Sequence, residues 1–347
     1  MIALEGDGRP LVVQLYPMLH ADGEALLRSS VRLETAPSVD PEVIVEAGRE
    51  AVALIASGPA HVDSKVLAQL RSLVVLASVG SGVDCFDVAA ATRLGIPVVS
   101  NAGVAAGPVA EYVIGAIVWL HRRLDAAAGF FTTSWDWTSR PEVTGDDVSG
   151  RMLGLVGFGQ VARDVARRAR AGLDMRIAAF DPVVADQTMD EHGVECMESL
   201  DSLLGAADVV SVHVPLDEST RGLLGPRQLG RMRPGAFLIN TSRGGVVDED
   251  ALLAAVESGR LGGAAVDVLS EEPPRPDLPI LQAREHLVVT PHVAGLTADA
   301  AAKLSRGVAA NVLACLGGER PAGIVNPEAW PPRVVGGDGW PLPSPTA

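Results

Sequence analysis

Short apolar segments alternate with helical patterns along nearly the whole chain, and this alternation constrains the fold more than any other feature. The early candidate strands lie at 11–16, 51–56, 73–77 and 96–99. A helical pattern covers about 107–124, and six further candidate strands follow at 152–156, 175–180, 208–214, 236–240, 263–268 and 286–290. A last helical pattern covers about 297–317. Such alternation is typical of parallel sheets, and the second series matches a complete doubly wound sheet, so we predict an α/β fold.

The composition limits what the chain can bind. It has 347 residues, 48% of them hydrophobic, which is enough for two packed domains. The net charge of −15 disfavours nucleic acid and anionic membrane surfaces as partners, so an anionic substrate would need a local basic group. The apolar segment at 113–120 is too short to span a bilayer, and the N-terminus lacks a signal-peptide pattern.

The three cysteines, Cys85, Cys196 and Cys315, are widely spaced and form no CxxC pair. This spacing argues against a disulfide framework and against a thiolate metal site. We therefore predict a cytoplasmic protein without a metal centre.

A glycine-rich turn directly follows the candidate strand at 152–156 and begins a helical pattern. In it, Gly157 permits a tight turn, and Gly159 lets the backbone approach a pyrophosphate. Ala162 replaces the third glycine of the dinucleotide-binding pattern, a replacement that the pattern tolerates. Backbone N–H groups at the start of the helix would face the phosphates. The cofactor-binding candidates in this turn are Gly157, Phe158, Gly159, Gln160 and Val161.

An acidic residue at the end of the next strand strengthens the dinucleotide interpretation. Asp181 lies 22 residues after Gly159, where a carboxylate can bind the ribose hydroxyls of adenosine. The same carboxylate would repel the 2′-phosphate of NADP, and the residue after it is Pro182 rather than an arginine. We predict NAD as the cofactor. The alternative is an ordinary strand–helix turn with a surface aspartate.

Three polar side chains follow three different strands of the second series. Arg243, Glu272 and His292 come after the strands at 236–240, 263–268 and 286–290, so they should meet at the carboxyl edge of the sheet, where ligands bind. Taken singly, each residue has a purely structural interpretation. The arginine could cap a helix, the glutamate could be a solvated loop residue, and the histidine could be a turn residue. Their joint placement at the cofactor edge favours an active site.

Several segments occur in the order found in one enzyme family. They are "SVGSGVDCFDVAAATRLGIPVVSNAG", "GLVGFGQVA", "HVPLDESTRGLL", "INTSRGGVVDEDAL", "AAVDVLSEEPP" and "TPHVAG". Over about residues 50–317 the chain resembles the D-isomer-specific 2-hydroxyacid dehydrogenases. The resemblance implies an NAD-dependent enzyme with two Rossmann-like, doubly wound parallel-sheet domains and an active site in the cleft between them.

The resemblance also implies roles for the three polar side chains, and their chemistry fits those roles. Arg243 would hold the substrate carboxylate in a planar fork and polarise the C2 oxygen. His292 would take the C2 hydroxyl proton in oxidation and return it in reduction. Glu272 would orient the imidazole and favour its protonated form.

Further site residues follow from the resemblance alone. Asp267 matches an aspartate that contacts the nicotinamide carboxamide, and Thr220 has the alternative of merely capping a turn. The loop at 79–81 would hold the substrate carboxylate through its backbone amides; its residues are Val79, Gly80 and Ser81. The remaining cofactor candidates are His213, Pro215, Thr220, Thr241, Ser242, Arg243, Asp267, His292 and Gly295.

The same resemblance predicts discontinuous domains. Residues 1–100 and 296–330 would form a flavodoxin-like substrate-binding domain, and 101–295 the NAD-binding domain. The tail at 331–347, rich in Pro and Gly, is predicted to be disordered. We expect a homodimer through the NAD-binding domain, with the apolar helix at 109–124 as the interface, although its apolar surface could equally be intramolecular core.

Departures from the family pattern leave the substrate open. Ser78 occupies the position where phosphoglycerate dehydrogenases typically carry an arginine for phosphate, which argues against a phosphorylated substrate. The aromatic segment "FFTTSWDWTSR" (130–140) could shape the active-site rim or the dimer surface. Phosphite or formate oxidation is a weaker alternative, because a formate enzyme would carry glutamine instead of Glu272. The alternative from another class is an NAD-sensing transcriptional corepressor, which shares the scaffold and the three polar residues.

Overall fold

The structure is a computed structural model, and it describes residues 8–58, 60–133, 135–282 and 286–333. The chain divides into two compact units. Unit 1 comprises the described residues up to Ala105 and those from Thr297 onward, and unit 2 comprises the described residues of Ala106–Leu296. Most of the tail predicted to be disordered, residues 334–347, lies outside the described residues. Arg333 is described, and its guanidinium donates hydrogen bonds to the carbonyl oxygens of Leu70 (2.6 Å) and Leu73 (2.9 Å).

Strands and helices are numbered along the chain. The strands are β1 (Leu11–Gln14), β2 (Arg32–Thr35), β3 (Ala53–Ala56), β4 (Val75–Ser78), β5 (Val98–Val99), β6 (Met152–Val156), β7 (Arg176–Phe180), β8 (Glu195–Cys196), β9 (Val209–Val212), β10 (Phe237–Asn240), β11 (Gly263–Val266) and β12 (Leu287–Val289). The α-helices are α1 (Ala21–Arg28), α2 (Pro41–Gly48), α3 (Ser64–Leu67), α4 (Val88–Arg93), α5 (Ala106–His121), α6 (Leu124–Thr133), α7 (Gln160–Leu173), α8 (Asp186–Glu191), α9 (Leu200–Ala206), α10 (Pro226–Arg231), α11 (Glu249–Glu257), α12 (Pro279–Gln282) and α13 (Ala298–Leu316). Short 3-10 helices cover Trp137–Val143, Gly244–Val246 and Pro327–Ala329.

Unit 1 contains a five-stranded, all-parallel sheet in the order β2-β1-β3-β4-β5. This is the flavodoxin-like order, in which the chain direction across the sheet reverses between β1 and β3. The strands β1, β3 and β4 are buried along their whole length, as expected for a parallel sheet covered on both faces. On one face, Leu304 and Val308 of α13 pack with Leu27 of α1. A Cβ at Gly23 of α1 would collide with the carbonyl oxygen of Ser305, so glycine permits this close helix contact.

Unit 2 contains a seven-stranded, all-parallel sheet in the order β12-β11-β10-β9-β6-β7-β8. The first strand of the unit, β6, pairs with both β7 and β9, so the topological switch point lies at its carboxyl end. One face of the sheet packs against α5 and α7 through a core that includes Ile117, Phe158 and Val165. The other face packs against the later helices through residues such as Leu203, Leu229 and Leu252. The prediction of doubly wound parallel sheets in an α/β fold is confirmed.

The sequence did not predict two of the strands, β2 and β8. β2 shows only one fully buried residue, Leu33, and it pairs along one side only, as an edge strand does. β8 is a two-residue edge strand with an exposed Glu195 and a half-buried Cys196. The helix predicted at about 107–124 ends at His121, and the left-handed backbone of Arg123 (φ 47°) separates it from α6.

The helix proposed as a dimer interface contributes much of its apolar surface to the interior of unit 2. Ala110, Val113 and Ile117 of α5 are fully buried in the core that α5 forms with α7 and the sheet. Trp119, on the other side of the helix, is 39% exposed. Among the described residues, no helix is long and apolar enough to cross a membrane.

Candidate active site

The glycine-rich turn after β6 forms an open backbone cradle. Gly157 has a φ of +90°, and a Cβ there would lie 2.8 Å from the carbonyl oxygen of His213 and from a methyl group of Val214. Gly159 is the N-cap of α7, provides no side-chain cap, and has open space where a Cβ would point. The first N–H groups of α7, at Gln160 and the residues after it, therefore face outward from a helix N-terminus, which is suited to a phosphate.

The Asp181 carboxylate connects this turn to the end of β7. One oxygen accepts the N–H of Phe158 at 2.8 Å, and the other accepts the N–H groups of Val183 at 2.8 Å and Val184 at 3.1 Å. Partial burial raises the pKa of Asp181, but these hydrogen bonds and the charge of Arg163 outweigh it and hold the pKa below its usual value. The carboxylate is thus ionised, and it fixes the glycine-rich turn.

Two buried polar atoms beside the cradle have no hydrogen-bond partner among the described residues. They are Nε2 of His213, just after β9, and Oγ1 of Thr241, just after β10. Burial lowers the pKa of His213 to about 4, so its ring is neutral at physiological pH. Buried polar groups normally have partners, so these two atoms point to a ligand that supplies them. Together with the glycine cradle, they fit a dinucleotide.

The predicted cofactor residues after β9 form a closed turn of their own. The Thr220 hydroxyl donates to the carbonyl oxygen of Pro215 at 2.7 Å and accepts the N–H of Asp217 at 2.8 Å. The Asp217 carboxylate accepts the N–H groups of Ser219 and Thr220. The Thr220 hydroxyl therefore caps this turn, as in the alternative interpretation, and its contact with the cofactor stays a prediction.

Arg243 lies in a turn after β10 that Asn240 organises. The Asn240 amide donates to the carbonyl oxygen of Arg243 at 2.9 Å and accepts both the N–H (3.1 Å) and the hydroxyl (2.8 Å) of Ser242. The guanidinium donates to the carbonyl oxygen of Ser242 at 2.7 Å. A Cβ at Gly244 would collide with the backbone at Leu269, so glycine is required for this close approach.

Glu272 and His292 form the hydrogen-bonded pair that the sequence predicts. His292 Nδ1 and Glu272 Oε2 are 2.8 Å apart, and the other carboxylate oxygen accepts the N–H of Leu269 at 2.9 Å. Partial burial raises the pKa of Glu272, but the hydrogen bonds from His292 and Leu269 and the charge of Arg243 outweigh it, so the pKa lies below its usual value. Glu272 is therefore a carboxylate that contacts His292 and lies in the field of Arg243. The His292 side chain remains 46% exposed.

A buried aspartate holds the turn that carries His292. Asp267, only 1% exposed, accepts the hydroxyl of Thr290 at 2.5 Å and the N–H groups of Val293 (2.9 Å) and Ala294 (2.8 Å). The His292 N–H donates to the carbonyl oxygen of Asp267 at 2.8 Å. His292 has a φ of 56°, a left-handed conformation that few non-glycine residues adopt and that is frequent at functional sites.

Sequence reasoning missed three supporting residues: Asn240, Thr290 and Tyr112. The Tyr112 hydroxyl of α5 lies 2.6 Å from the Thr290 hydroxyl, so a chain of hydrogen bonds runs from α5 to Asp267. Thr290 and Asn240 belong to recognisable motifs, and their position at strand ends was a usable signal. Tyr112 lies in an apolar helix, and nothing in its surroundings in the sequence marks it.

In unit 1, the predicted carboxylate-binding loop at 79–81 follows β4. Asn101 fixes it: the side-chain amide donates to the carbonyl oxygen of Val79 at 2.8 Å, and the backbone N–H of Asn101 donates to that of Gly80 at 2.9 Å. Within the described part of the chain, no protein acceptor engages the N–H groups of Gly80 and Ser81. These two donors are available to an anion.

The structure thus places the predicted residues in two groups. In unit 2, Glu272 contacts His292, and Arg243 is close enough to lower the pKa of Glu272. Gly295 lies in the turn that follows His292. The 79–81 loop belongs to unit 1. Over the described ranges, no group of three or more His, Cys, Asp or Glu side chains is arranged to hold a metal ion.

Comparison with known proteins points to one family. Residues 114–294 match the family model described as "D-isomer specific 2-hydroxyacid dehydrogenase, NAD binding domain". The chain is 40% identical to (S)-sulfolactate dehydrogenase of Chromohalobacter salexigens over 79% of this chain and 87% of that enzyme. It is 32% identical to D-3-phosphoglycerate dehydrogenase of Archaeoglobus fulgidus over 82% of this chain, but it spans only 53% of that enzyme. The crystal structure of TT0316 protein from Thermus thermophilus superposes with a TM-score of 0.82 at 30% identity, covering 91% of this chain and 99% of that one.

Proposed function

The chain belongs to the D-isomer specific 2-hydroxyacid dehydrogenase family, and on this premise we propose that Arg243, Glu272 and His292 catalyse the interconversion of a small D-2-hydroxy acid and its 2-keto acid. Membership makes the protein an NAD-dependent oxidoreductase. The roles of its residues are our proposal, and the hydrogen bond of 2.8 Å between His292 and Glu272 is the observation that carries it.

His292 is proposed as the acid and base. Because its Nδ1 bonds Glu272, its Nε2 is the nitrogen left to meet the substrate, and the exposed side chain leaves that nitrogen accessible. In oxidation, Nε2 takes the proton of the C2 hydroxyl, and in reduction it returns that proton to the C2 oxygen. The Glu272 carboxylate stabilises the imidazolium in both directions. When bound, NAD supplies the nicotinamide that accepts the hydride from C2.

Arg243 is proposed to bind the substrate carboxylate and to polarise the C2 oxygen. Its extended backbone and the hydrogen bond to Ser242 fix where the guanidinium lies, so the planar fork is pre-organised for a two-pronged contact. The free N–H groups of Gly80 and Ser81 are proposed as further donors to the carboxylate. We accordingly propose unit 1 as the substrate-binding domain, and unit 2 as the domain that binds NAD and carries Arg243, Glu272 and His292.

The proposed cofactor contacts start from the glycine-rich turn after β6, whose open backbone fits a dinucleotide. The glycine-rich turn, with the N–H groups of α7, would hold the pyrophosphate, and Asp181 would hold the ribose hydroxyls. His213 Nε2 and Thr241 Oγ1 have the unmet hydrogen-bonding capacity expected of groups that contact the nicotinamide half. Asp267 is proposed to act chiefly through the His292 turn, since its carboxylate already accepts three hydrogen bonds.

We further propose a cytoplasmic homodimer that associates through unit 2. Phe131, Trp135 and Trp137 form an aromatic cluster in which Trp135 is 83% exposed, and such an apolar surface is typical of an interface. The cytoplasmic location rests on Cys85, Cys196 and Cys315, none of which forms a disulfide in the described part of the chain. Light scattering at micromolar concentration should report a dimer, and Trp135→Asp should shift it toward the monomer. A monomeric wild type would contradict the dimer.

The enzymatic proposal is tested by mixing the protein with NADH and a panel of 2-keto acids and following the loss of NADH absorbance. We expect turnover with at least one small 2-keto acid and none with His292→Ala. An NAD-sensing protein would bind NADH without turning over any member of the panel. A formate-oxidising enzyme would show activity only in the oxidative direction, with formate as the substrate.

A further inference from the structure

A cavity of about 260 Å³ opens at the carboxyl edge of the unit 1 sheet. Its lining comes from the segments that follow three adjacent strands: β1, β3 and β4. The gap between β1 and β3 is the switch point of this sheet, which is where open α/β sheets bind ligands. The lining residues are Tyr16, Pro17, Leu19, Ser57 and Val79.

We propose that this cavity receives the substituent at C3 of the substrate and selects substrates in which that substituent is uncharged. The inference rests on the proposed function, because it concerns the substrate of the same reaction. It assigns the substrate class: 2-hydroxy acids with a small apolar or hydroxylated side chain, rather than a side chain with a sulfonate, phosphate or second carboxylate.

The cavity adjoins the loop that is proposed to hold the substrate carboxylate. Val79 lines the cavity and also begins the 79–81 loop, whose next two residues, Gly80 and Ser81, offer free N–H groups. A substrate with its carboxylate on those N–H groups has its remaining carbons beside Val79. The substituent at C3 is therefore the part of the molecule that can enter the cavity.

The lining cannot neutralise a second anion. Among the described residues, no charged side chain lines the cavity, and its polar groups are the hydroxyls of Tyr16 and Ser57. Burial raises the pKa of Tyr16, so its hydroxyl stays neutral. A sulfonate or phosphate that enters this cavity would lose part of its hydration without gaining a cation, which disfavours it. Met18, which lies between the lining residues Pro17 and Leu19, contacts a negative charge instead. Its N–H donates to the Glu24 carboxylate at 3.4 Å.

Ser78 gives a second, independent argument. It occupies the position where the resemblance to phosphoglycerate dehydrogenases would place an arginine. In this structure Ser78 is 2% exposed, and its hydroxyl donates to the carbonyl oxygen of Gly82 at 2.6 Å. A small, buried side chain that closes its own loop leaves no place for a phosphate-binding cation there. The inferred preference thus differs from the sulfolactate and phosphoglycerate for which two relatives are named.

The test compares kcat/KM for 2-oxobutyrate and for 3-sulfopyruvate, with NADH and the wild-type protein. We expect 2-oxobutyrate to be preferred at least about tenfold, the effect of one poorly compensated charge. Leu19→Arg, which places a cation at the cavity from a side chain that is 47% exposed, should raise the relative kcat/KM for 3-sulfopyruvate about tenfold. The matched control is Leu26→Arg, on α1 and 40% exposed but outside the lining, which should leave the ratio unchanged.

The outcomes separate the two proposals. If the protein turned over neither substrate and no other 2-keto acid, the proposed function itself would be wrong. Turnover with a preference for 3-sulfopyruvate would overturn only the inference about the cavity. If Leu19→Arg binds NADH normally but leaves the ratio unchanged, the cavity is not the C3 site. If that variant fails to fold, Val79→Ala replaces it, and it should favour the larger 4-methyl-2-oxopentanoate over 2-oxobutyrate; an unchanged ratio would again refute the inference.

Discussion

The two parallel sheets end in very different edges. At the carboxyl edge of the unit 2 sheet, charged side chains are held by several hydrogen bonds each: Asp267 and Asp181 accept three, and Glu272 accepts two. At the carboxyl edge of the unit 1 sheet, the cavity is lined by apolar and hydroxyl side chains. Under the proposed function, the same architecture supports two tasks. Proton transfer needs charged side chains that are held in place. Selection of the substrate's C3 substituent needs a cavity of suitable shape whose lining carries no charge.

The largest effect should come from the acid and base of unit 2. His292→Ala removes the proton-transfer group, so kcat should fall by about 10²–10⁴, the usual contribution of such a group. The affinity for NADH, measured by fluorescence titration, should change little. His61→Ala, an exposed histidine of unit 1, is the matched control and should leave kcat unchanged. Near-normal turnover of His292→Ala would mean that the charged edge of unit 2 is not where the chemistry occurs.

Arg243 should show a different kinetic signature. Arg243→Ala loses carboxylate binding and carbonyl polarisation, so KM should rise and kcat should fall, with a loss in kcat/KM of about 10²-fold. Arg243→Lys should recover little, because a point charge does not reproduce a planar fork. Steady-state kinetics of the two variants, with the 2-keto acid that the wild type reduces most efficiently, checks both predictions. Full rescue by lysine would show that only the charge matters.

His213, whose Nε2 atom is buried beside the glycine-rich turn, predicts an acid-dependent loss of stability. The folded pKa of His213 is lowered to about 4 from an unfolded value of 6.5, so the unfolded state binds the extra proton between these pH values. The free energy of unfolding should therefore decrease as the pH falls from 6.5 to 4, by on the order of 3 kcal/mol from this residue alone. Denaturant unfolding of the nucleotide-free protein at pH 7 and pH 4 measures it. His213→Gln should weaken this pH dependence; an identical dependence in both proteins would contradict the assignment.

The smallest of these effects concerns cofactor choice. Asp181→Ala removes the acceptor for the ribose hydroxyls and the repulsion toward a 2′-phosphate, so NAD affinity should fall about tenfold and discrimination against NADP should relax. The variant also loses the hydrogen bond to Phe158, so its melting temperature should be measured beside its affinities. If the wild type already used NADP as well as NAD, the role of Asp181 would be wrong.

The elements that the sequence predicted well are those whose pattern is strong within a short segment. The buried strands β6 and β10 were found because continuous apolar segments end at turn residues. The edge strands β2 and β8 were missed because an edge strand buries few residues and shows no apolar segment. The break after His121 was missed because a left-handed Arg123 has no signature of its own.

The candidate site shows the same division. Glu272, His292 and Arg243 were predicted because each belongs to a motif at a strand end. The cavity in unit 1 was not, because Tyr16 and Leu19 follow β1 whereas Ser57 follows β3, and only the folded sheet brings these segments together. Tyr112 was hidden for a similar reason: its hydrogen bond to Thr290 joins residues 178 positions apart.

The central claim, that Glu272 acts through His292, is tested most directly by the pH dependence of kcat/KM for reduction in the wild type and in Glu272→Gln. Glutamine keeps an acceptor for the Leu269 N–H, so the loop should remain folded. A neutral amide no longer stabilises the imidazolium that reduction requires, so the pH at which activity is half lost should shift down by about one unit. An unmoved profile with near-normal activity would show that the pair of side chains 2.8 Å apart is not the catalytic pair.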